Sequence, residues 1–468
     1  MHLDILNIRG GAAGARAKIQ REEIQMRRQS DHVSGLLVTA SSAIFAASLV
    51  ATQASAATLT NLYSFCSQEN CADGAAPSGG LIMDGAGNLF GTTSLGGQYS
   101  HGAVFELSPD GSTWSYQVLY SFCAEDNCLD GDAPLSPLIL DADGNLYGTT
   151  HFGGKKNTGI AFELIAPAPG RNWKLKTLYA YCSRRARCLD GGSPSPLTYA
   201  GEASGARYDG QSPLFGAAFL GGTAGGGTAF RILPQAGHKN RYAIIYNFGS
   251  LPNGADGYSP GSKLLASSTG TLFGTTELGG STGHGTAYEL APKGRKGWQE
   301  TILYSFCQQG SHCKDGDKPI SSVTADEQGH LFGTTIYGGT CRYCGTDYKL
   351  APNGSQYEYS VVYGFCSQPY CSDGKGPATV PSLDPSGNLI GSTLLGGNQV
   401  GKFKQGAGVV YSFSGGTLEV LHAFCAELDC TDGAAPSSEI LLTPSGQLIG
   451  TTSQGGDSNQ GTVFEITL

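Results

Sequence analysis

Residues 62–77 read Leu-Tyr-Ser-Phe-Cys-Ser-Gln-Glu-Asn-Cys-Ala-Asp-Gly-Ala-Ala-Pro, and the pattern of this stretch recurs along the chain. Its aromatic start is typical of the end of a strand, and its Asp-Gly-x-x-Pro end is typical of a turn into the next strand. That second motif occurs seven times, beginning at Asp73, Asp130, Asp190, Asp256, Asp315, Asp373 and Asp432. The repeating unit is about 59 residues long, which is within the range of β-propeller blades.

Each unit reads as four short strands joined by Gly-rich turns. In the first unit we predict them at residues 80–84, 88–93, 103–107 and 114–120. The two ends of the repeat array are complementary, since residues 58–65 supply only a fourth strand and residues 461–468 end on a third strand. The sequence therefore predicts an all-β, seven-bladed propeller of four-stranded blades, closed where the N-terminal strand joins the C-terminal blade.

The composition excludes several other classes of protein. Glycine contributes 71 of 468 residues but shows no three-residue period, which excludes collagen, and Leu, Lys and Glu heptads are missing, which excludes a coiled coil. Hydrophobic residues make up 40 % of the chain, so a packed core is expected rather than disorder. The formal net charge of −9 argues against a nucleic-acid partner.

The N-terminal segment reads as an export signal. An apolar run at residues 36–51 follows Arg27 and Arg28 and precedes the small-x-small cleavage pattern at 54–56. Residues 1–56 are therefore predicted to be an N-terminal extension and signal peptide, with Met26 as a second candidate start, and residues 57–468 the mature propeller. The mature chain is expected to lack a transmembrane span and to be secreted, periplasmic or at the cell surface. The sequence leaves the oligomeric state open, and a monomer is compatible with it.

The order of strand, Gly-Gly loop, strand, turn and aromatic strand resembles kelch-like propellers. The combination of Leu-Tyr-Ser-Phe, Asp-Gly-x-x-Pro and Gly-Asn-Leu-Tyr-Gly-Thr-Thr, the last at residues 144–150, more specifically resembles the GloVer tandem-repeat family of exported bacterial proteins. The resemblance covers residues 57–468 and implies an extracellular or envelope location. It brings no established activity and no catalytic residues to assign.

Twelve of the 14 cysteines form close pairs between the aromatic strand end and Asp-Gly, and the fourth unit lacks its pair. Their even number, regular placement and predicted export favour local disulfides over a metal site, for which no companion His residues were identified. The remaining two cysteines form a Cys-x-x-Cys, for which a loop disulfide is preferred to a redox pair. The predicted disulfides are Cys66–Cys71, Cys123–Cys128, Cys182–Cys188, Cys307–Cys313, Cys341–Cys344, Cys366–Cys371 and Cys425–Cys430.

The candidate ligand face is the side of the propeller that carries the longer loops, because long loops on a rigid scaffold are where binding usually resides. Positions that break the repeat are the best candidates on it. They are Arg184, Arg185 and Arg187 in the third cysteine loop, and Arg342 and Tyr343 between the last two cysteines. Arginine suits carboxylate, sulfate or phosphate recognition, although a solvated loop is the alternative. The repeated Asp is interpreted as a turn former rather than a calcium ligand, and Gly-Thr-Thr as a packing element.

Searches for catalytic, cofactor-binding and metal-binding motifs return none. Three hypotheses follow. The first is a secreted or envelope-associated binding module whose ligand is a surface glycan or a protein. The second is an extracellular carbohydrate-active hydrolase or lyase, which requires two carboxylates, or a carboxylate with His or Tyr, at one cleft that breaks the symmetry. The third is a purely structural envelope protein.

Overall fold

The computed structural model describes residues 57–183, 187–235, 239–310, 312–354 and 356–468. The predicted signal peptide and second start, Met26, lie outside the described residues. The described residues form seven separate antiparallel sheets, one for each blade of the predicted propeller. Within them, no helix is long and apolar enough to span a bilayer. The seven-bladed, all-β architecture predicted from the repeat is therefore confirmed.

Blades are numbered along the chain, and the strands of each blade run from the central channel outward. Blade 1 contains Ala75–Pro77, Ile82–Met83, Leu89–Leu95, Ala103–Asp110 and Thr113–Ser121. Blade 2 contains Ile139–Leu140, Leu146–Thr149, Ile160–Ile165 and Lys174–Ala180. Blade 3 contains Gly192–Pro194, Thr198–Tyr199, Leu214–Leu220, Thr228–Leu233 and Arg241–Asn247. Blade 4 contains Leu265–Ala266, Leu272–Thr276, Thr286–Pro292 and Trp298–Ser305.

The remaining blades follow the same plan. Blade 5 contains Val323–Ala325, Leu331–Thr335, Thr346–Asn353 and Gln356–Gly364. Blade 6 contains Ser382–Leu383, Leu389–Thr393, Val409–Ser414 and Thr417–Ala423. Blade 7 contains Ala434–Pro436, Leu441–Leu442, Leu448–Gln454, Thr462–Thr467 and the N-terminal Thr58–Ser64. Short 3₁₀ turns occur at Glu69–Cys71, Asp126–Cys128, Glu202–Ser204, Pro252–Gly254, Gly294–Lys296, Pro369–Cys371 and Leu428–Cys430.

The ring closes in blade 7 as the sequence predicts. Strand Thr58–Ser64 pairs antiparallel with Thr462–Thr467, so that Thr58 lies opposite Thr467 and Ser64 lies opposite Thr462. The N-terminal strand thus becomes the outer strand of the last blade. This pairing covers an edge that would otherwise expose unpaired backbone groups.

The inner strand differs from its predicted span of residues 80–84 in the first unit. It pairs with the second strand in two segments, Ala75–Pro77 and Ile82–Met83, separated by a break. Pro77 has no N–H to continue the ladder. In the break, a Cβ on Gly79 would lie 2.6 Å from the carbonyl oxygen of Ser136 in the next blade, so the backbones of the two blades approach closely there.

Gly-Thr-Thr is confirmed as a packing element. Gly91 leaves room for the ring of Phe105, which a Cβ would approach to 2.6 Å. The first Thr bonds to the next blade, as when the Thr92 hydroxyl donates to the Ser136 carbonyl at 3.1 Å. Equivalent bonds join Thr149 to Ser195, Thr275 to Ser321 and Thr334 to Thr379.

The repeated Asp is structural, but its partners differ from the local turn that the sequence suggested. Asp73 is fully buried and accepts hydrogen bonds from the Tyr63 hydroxyl at 2.7 Å and from the backbone N–H groups of Ser67 and Gln68 at 2.9 and 3.2 Å. The carboxylate therefore joins the end of the outer strand to the cysteine loop. Corresponding bonds are made by Asp130, Asp190, Asp256, Asp315, Asp373 and Asp432.

All seven predicted disulfides are present, including Cys341–Cys344. Blade 4, which has no cysteine pair, fills the same space with an aromatic ring. Gly249 and Gly254 occupy the two cysteine positions with φ of +73° and +64°, and Cβ atoms there would lie 2.4 and 1.8 Å from ring atoms of Tyr258. The Tyr258 ring thus takes the place of the missing disulfide.

Removing that ring should allow a disulfide in blade 4. We expect the triple variant Gly249→Cys, Gly254→Cys, Tyr258→Ala to form this bond and to be about 2 kcal/mol more stable than Tyr258→Ala alone, from closure of a short loop. The double cysteine variant that keeps Tyr258 should fold poorly, because its new side chains clash with the ring. Disulfide mapping by mass spectrometry and denaturant unfolding test this, and equal stability of the double and triple variants would contradict it.

Candidate functional site

The loops from outer to inner strand and from second to third strand lie on one face of the propeller, called here the long-loop face. Arg187, one of the sequence candidates, is exposed on this face beside Cys188. Arg184 and Arg185 lie outside the described residues, so the three arginines cannot be placed as a group. Of the three arginines in the cysteine loop of blade 3, the structure therefore places Arg187 as an exposed cation on the long-loop face.

Arg342 and Tyr343 form a defined local structure in the second-to-third loop of blade 5. The Arg342 guanidinium lies 5.3 Å from the centroid of the Tyr343 ring, and that ring meets Tyr337 edge-on with centroids 5.4 Å apart. The Tyr343 side chain is nevertheless 52 % exposed. The disulfide from exposed Cys341 to buried Cys344 ties this short loop to the propeller. The structure thus presents a cation and an aromatic ring together.

A cavity of about 330 Å³ adjoins Tyr343 between blades 5 and 6. One side is formed by Tyr337 and Tyr343, and the other includes Lys375 and Gln405. The Lys375 ammonium donates a hydrogen bond to Gln405 Oε1 at 3.1 Å. Apolar contacts come from Ile336, Leu394 and Leu395. The combination of apolar walls and a few polar groups is typical of small-ligand sites.

Further cations of this region were missed in the sequence. The second-to-third loop of blade 6 runs over residues 396–408, whereas the corresponding loop of blade 1 spans residues 96–102. The longer loop carries exposed Lys402 and Lys404. Lys402 lies 5.0 Å from the ring of Phe403 and donates a hydrogen bond to Asn459 Oδ1 of blade 7 at 2.7 Å, so it is turned away from blade 5. Comparing loop lengths between units would have revealed them. Within the described parts of the chain, Arg342, Lys375 and these two lysines form no ion pair with a carboxylate.

Tyr370 adds an unusual exposed ring to the same region. It has φ of +59° and is 83 % exposed, and its carbonyl accepts a hydrogen bond from Gln399 of the blade 6 loop at 2.9 Å. The equivalent positions in other units carry Asn70, Asn127, Asn253 and Asp429, which tolerate positive φ better than Tyr. A strained, exposed Tyr is a feature for which packing supplies no reason, and such features concentrate at binding sites.

A second cavity, of about 490 Å³, lies in the central channel and is lined by all seven blades. It contains Glu202 from the inserted segment of blade 3, Lys263 from blade 4 and Glu439 from blade 7. Lys263 forms an ion pair with Glu202 at 2.7 Å, and the Thr198 hydroxyl donates to the other Glu202 oxygen at 2.5 Å. Glu202 therefore has a partner for each of its carboxylate oxygens.

Glu439 is in a different electrostatic position. Burial among the blades raises the pKa of its carboxyl, the Lys263 ammonium lowers it, and the negative charge of Glu202 raises it, for a net increase. The Glu439 side chain is only half-buried, but the blades around the channel displace much of the water that would hydrate its carboxylate. This loss of hydration is the main reason that the pKa of Glu439 is raised. Burial also lowers the pKa of His151, which lines the same cavity and is therefore neutral at pH 7.

Comparisons with known proteins identify a protein family and several distantly similar structures. A search of curated protein sequences found no match. Among solved structures, Penicillium chrysogenum α-L-arabinanase is similar with a TM-score of 0.42 and 12 % identity, covering 78 % of this chain and 98 % of that protein. Trypanosoma rangeli sialidase is similar with a TM-score of 0.40 and 10 % identity, covering 88 % and 59 % respectively. Structural similarity at this low level of sequence identity carries no information about activity.

The family assignment rests on the repeats themselves. The model of the Gloeobacter/Verrucomicrobia repeat matches residues 44–210 and 200–399, which together span more than half of the chain. These segments contain six of the seven aromatic strand ends, six of the seven buried Asp residues and six of the seven disulfides described above. The chain belongs to the Gloeobacter/Verrucomicrobia repeat family.

Proposed function

We propose that the protein is an exported binding module that recognises an acidic glycan, one bearing carboxylate or sulfate groups. The binding site would be the blade 5–6 surface, defined as Tyr337, Arg342, Tyr343, Tyr370, Lys375 and Lys404. The observation that carries the proposal is the presence of cations without carboxylate partners beside exposed aromatic rings. This is notable in a chain whose formal net charge is −9.

The chemistry of this surface suits a charged sugar chain. The Arg342 guanidinium supplies a planar pair of donors for a carboxylate or sulfate, and Lys375 supplies a point charge at the cavity. The exposed Tyr343 ring offers a flat apolar face with a polar hydroxyl tip. The adjoining cavity, about 330 Å³, is within the size range of small-ligand sites.

The disulfides fit an exported role. Seven disulfides and no free cysteine among the described residues are typical of a protein that resides in an oxidising compartment. Secretion through a signal peptide at residues 1–56 and the choice between periplasm, cell surface and medium are part of the proposal. A rigid, disulfide-linked loop face also limits the conformational entropy lost on binding.

Hydrolysis or lyase activity in the channel is the alternative. Glu202 and Glu439 line one cavity that breaks the symmetry, as that hypothesis requires. Both oxygens of Glu202 already have partners in Lys263 and Thr198, which leaves Glu439 and His151 as the groups of this cavity without a hydrogen-bond partner among the described residues. The binding proposal rests on the blade 5–6 surface and not on the channel, and assays for released products distinguish the two functions.

Binding assays with purified protein test the proposal. We expect binding to polygalacturonate or dextran sulfate but not to uncharged dextran, with an affinity that falls as salt rises. The Arg342→Ala, Lys375→Ala double variant should bind at least about 10-fold more weakly, since each lost charge-assisted contact contributes about 1.5–3 kcal/mol. Arg295→Ala, Lys296→Ala is the matched control, because these exposed cations lie in a turn between the third and outer strands of blade 4 on the opposite face.

Four results would overturn the proposal. Binding that is equally weakened by the control pair would show only a general charge effect. Equal binding to charged and uncharged dextrans would remove the role of the cations. Failure to bind any glycan would favour the structural envelope hypothesis, whereas release of reducing ends or unsaturated products would favour the enzyme.

A further inference from the structure

The channel carries a second feature that breaks the repeat. In blade 1, Gly80 lies two positions before Ile82, where the second segment of the inner strand begins, and it lines the channel cavity. The residue at the equivalent position of every other blade also lines this cavity. Counted from blade 1, these ring residues are Gly80, Pro137, Pro196, Lys263, Ser322, Val380 and Glu439. Five of them are uncharged. Lys263 and Glu439 are three blades apart, so they face each other across the ring.

Glu439 is the charged group that lacks a partner. Lys263 is held by Glu202, whereas no described residue forms a hydrogen bond or ion pair with the Glu439 carboxylate. Its ring neighbour is Gly80, where an added Cβ would lie 3.7 Å from the Cβ of Glu439, so no side chain fills the space on that side. With His151 neutral, the described side chains of the cavity carry a net charge of −1 when Glu439 is ionised.

The remaining lining offers hydrogen-bonding groups. Hydroxyls of Ser78, Ser136, Ser322, Thr324 and Ser437 line the channel cavity. Those of Ser136, Ser322 and Ser437 donate to backbone carbonyls, so toward a ligand their oxygens serve as acceptors. The hydroxyl oxygen of Ser78 is shielded and has no partner. A cavity of about 490 Å³ is large enough for one or two sugar rings. One negative charge among many hydroxyl groups complements a ligand with one positive charge and several hydroxyl groups.

We propose that the channel binds a small cationic polyol, of which an amino sugar is the simplest chemical class. Its ammonium group would pair with Glu439, and its hydroxyls would bond to the serine and threonine hydroxyls of the lining. A divalent cation suits the site less well, because Ca²⁺ sites collect several carboxylates and carbonyl oxygens, whereas Glu439 is a single carboxylate without a partner. This site is separate from the blade 5–6 surface and opposite to it in charge.

Calorimetry with matched sugars tests the inference. At neutral pH, glucosamine and its β-1,4-linked dimer should bind at least about 10-fold more tightly than glucose and N-acetylglucosamine, which lack the positive charge; a factor of 10 corresponds to 1.4 kcal/mol. Glu439→Gln should abolish this preference, and Glu439→Asp, which keeps the charge, should retain part of it. Glu125→Gln, at an exposed loop position, is the matched control and should change nothing.

The outcomes separate this site from the proposed glycan surface. Glu439→Gln should leave binding of acidic glycan unchanged, and the Arg342→Ala, Lys375→Ala variant should leave binding of glucosamine unchanged. Thermal unfolding of each variant checks that the propeller is intact. The inference would be overturned if glucosamine and glucose bound with equal affinity, if Ca²⁺ bound and glucosamine did not, or if none of these probes bound.

Discussion

Replacing Asp256 with alanine is expected to lower the free energy of unfolding by about 4 kcal/mol, a typical cost of removing a buried charged group from its hydrogen bonds. The carboxylate is fully buried and accepts bonds from the backbone N–H groups of Ser250 and Leu251 at 2.8 and 3.1 Å and from the Ser250 hydroxyl at 2.8 Å. The Tyr246 hydroxyl also donates, at 3.2 Å. Without the carboxylate, the donors of Ser250 and Leu251 lose their acceptor in the protein interior, whereas the Tyr246 hydroxyl keeps Glu300 Oε2 as a partner at 3.1 Å. Denaturant unfolding under oxidising conditions measures the change.

Blade 1 provides the matched comparison for this prediction. Asp73 has the same set of partners, but its loop is also closed by the disulfide Cys66–Cys71, which blade 4 lacks. We therefore expect Asp73→Ala to be less destabilising than Asp256→Ala. If the two variants lose the same free energy of unfolding within error, the disulfide does not share the role of the carboxylate in holding the loop.

Replacing the buried pair Asp347 and Tyr411 with Val and Phe is expected to stabilise the protein above pH 7. Other blades have Val104 or Ala161 at the position of Asp347 and Phe105 or Phe162 at that of Tyr411, so the double variant restores the repeat. Asp347 has no exposed surface, and the Tyr411 hydroxyl lies 2.8 and 3.0 Å from its two carboxylate oxygens. No other described residue forms a hydrogen bond or ion pair with this carboxyl.

The pH dependence follows from the direction of the pKa shift. Burial raises the pKa of Asp347 from 3.8 to about 7, an effect only partly offset by the hydrogen bond from Tyr411. The folded protein therefore binds a proton that the unfolded chain has released, and stability falls as pH rises from about 4 to 7 by up to about 4 kcal/mol. The advantage of the double variant should grow across this window and become constant above it.

Denaturant unfolding at several pH values between 4 and 8 checks this result. Tyr411→Phe alone is the control, since it removes the hydrogen bond but leaves the carboxyl buried, and it should make the protein less stable at pH 8. An advantage of the double variant that is the same at pH 4 and pH 8 would contradict the assigned pKa.

The parts of the fold that depend on local sequence were predictable. Seven copies of one motif gave the number of blades, and the incomplete units at the two ends gave the closure that pairs Thr58 with Thr467. The cysteine pairs were predictable because each pair lies within one short loop. The role of Asp73 was only half predictable, because its partner Tyr63 comes from the preceding strand end, and contact between them depends on how the strand and the loop fold together.

The candidate sites were harder to predict for a physical reason. Whether a residue faces the channel depends on strand register, and the inner strand breaks at residues 78–81 instead of running through 80–84. Lys263 and Glu439 therefore could not be recognised as members of one ring. Arg342 and Tyr343 were recognised because they interrupt a repeated loop, whereas Lys375 became a candidate only once the cavity beside it was seen.

The pairing of Thr58 with Thr467 has a consequence for how the propeller would be displayed. Thr467 lies at the end of a third strand, and third strands end on the face of the short turns, away from the long-loop face. A tether fused after Leu468 would leave the molecule from that back face. Immobilising the protein by such a tag would leave the long-loop face, with the blade 5–6 surface, turned toward the solution, so a sensor chip prepared in this way would present that surface to dissolved glycans.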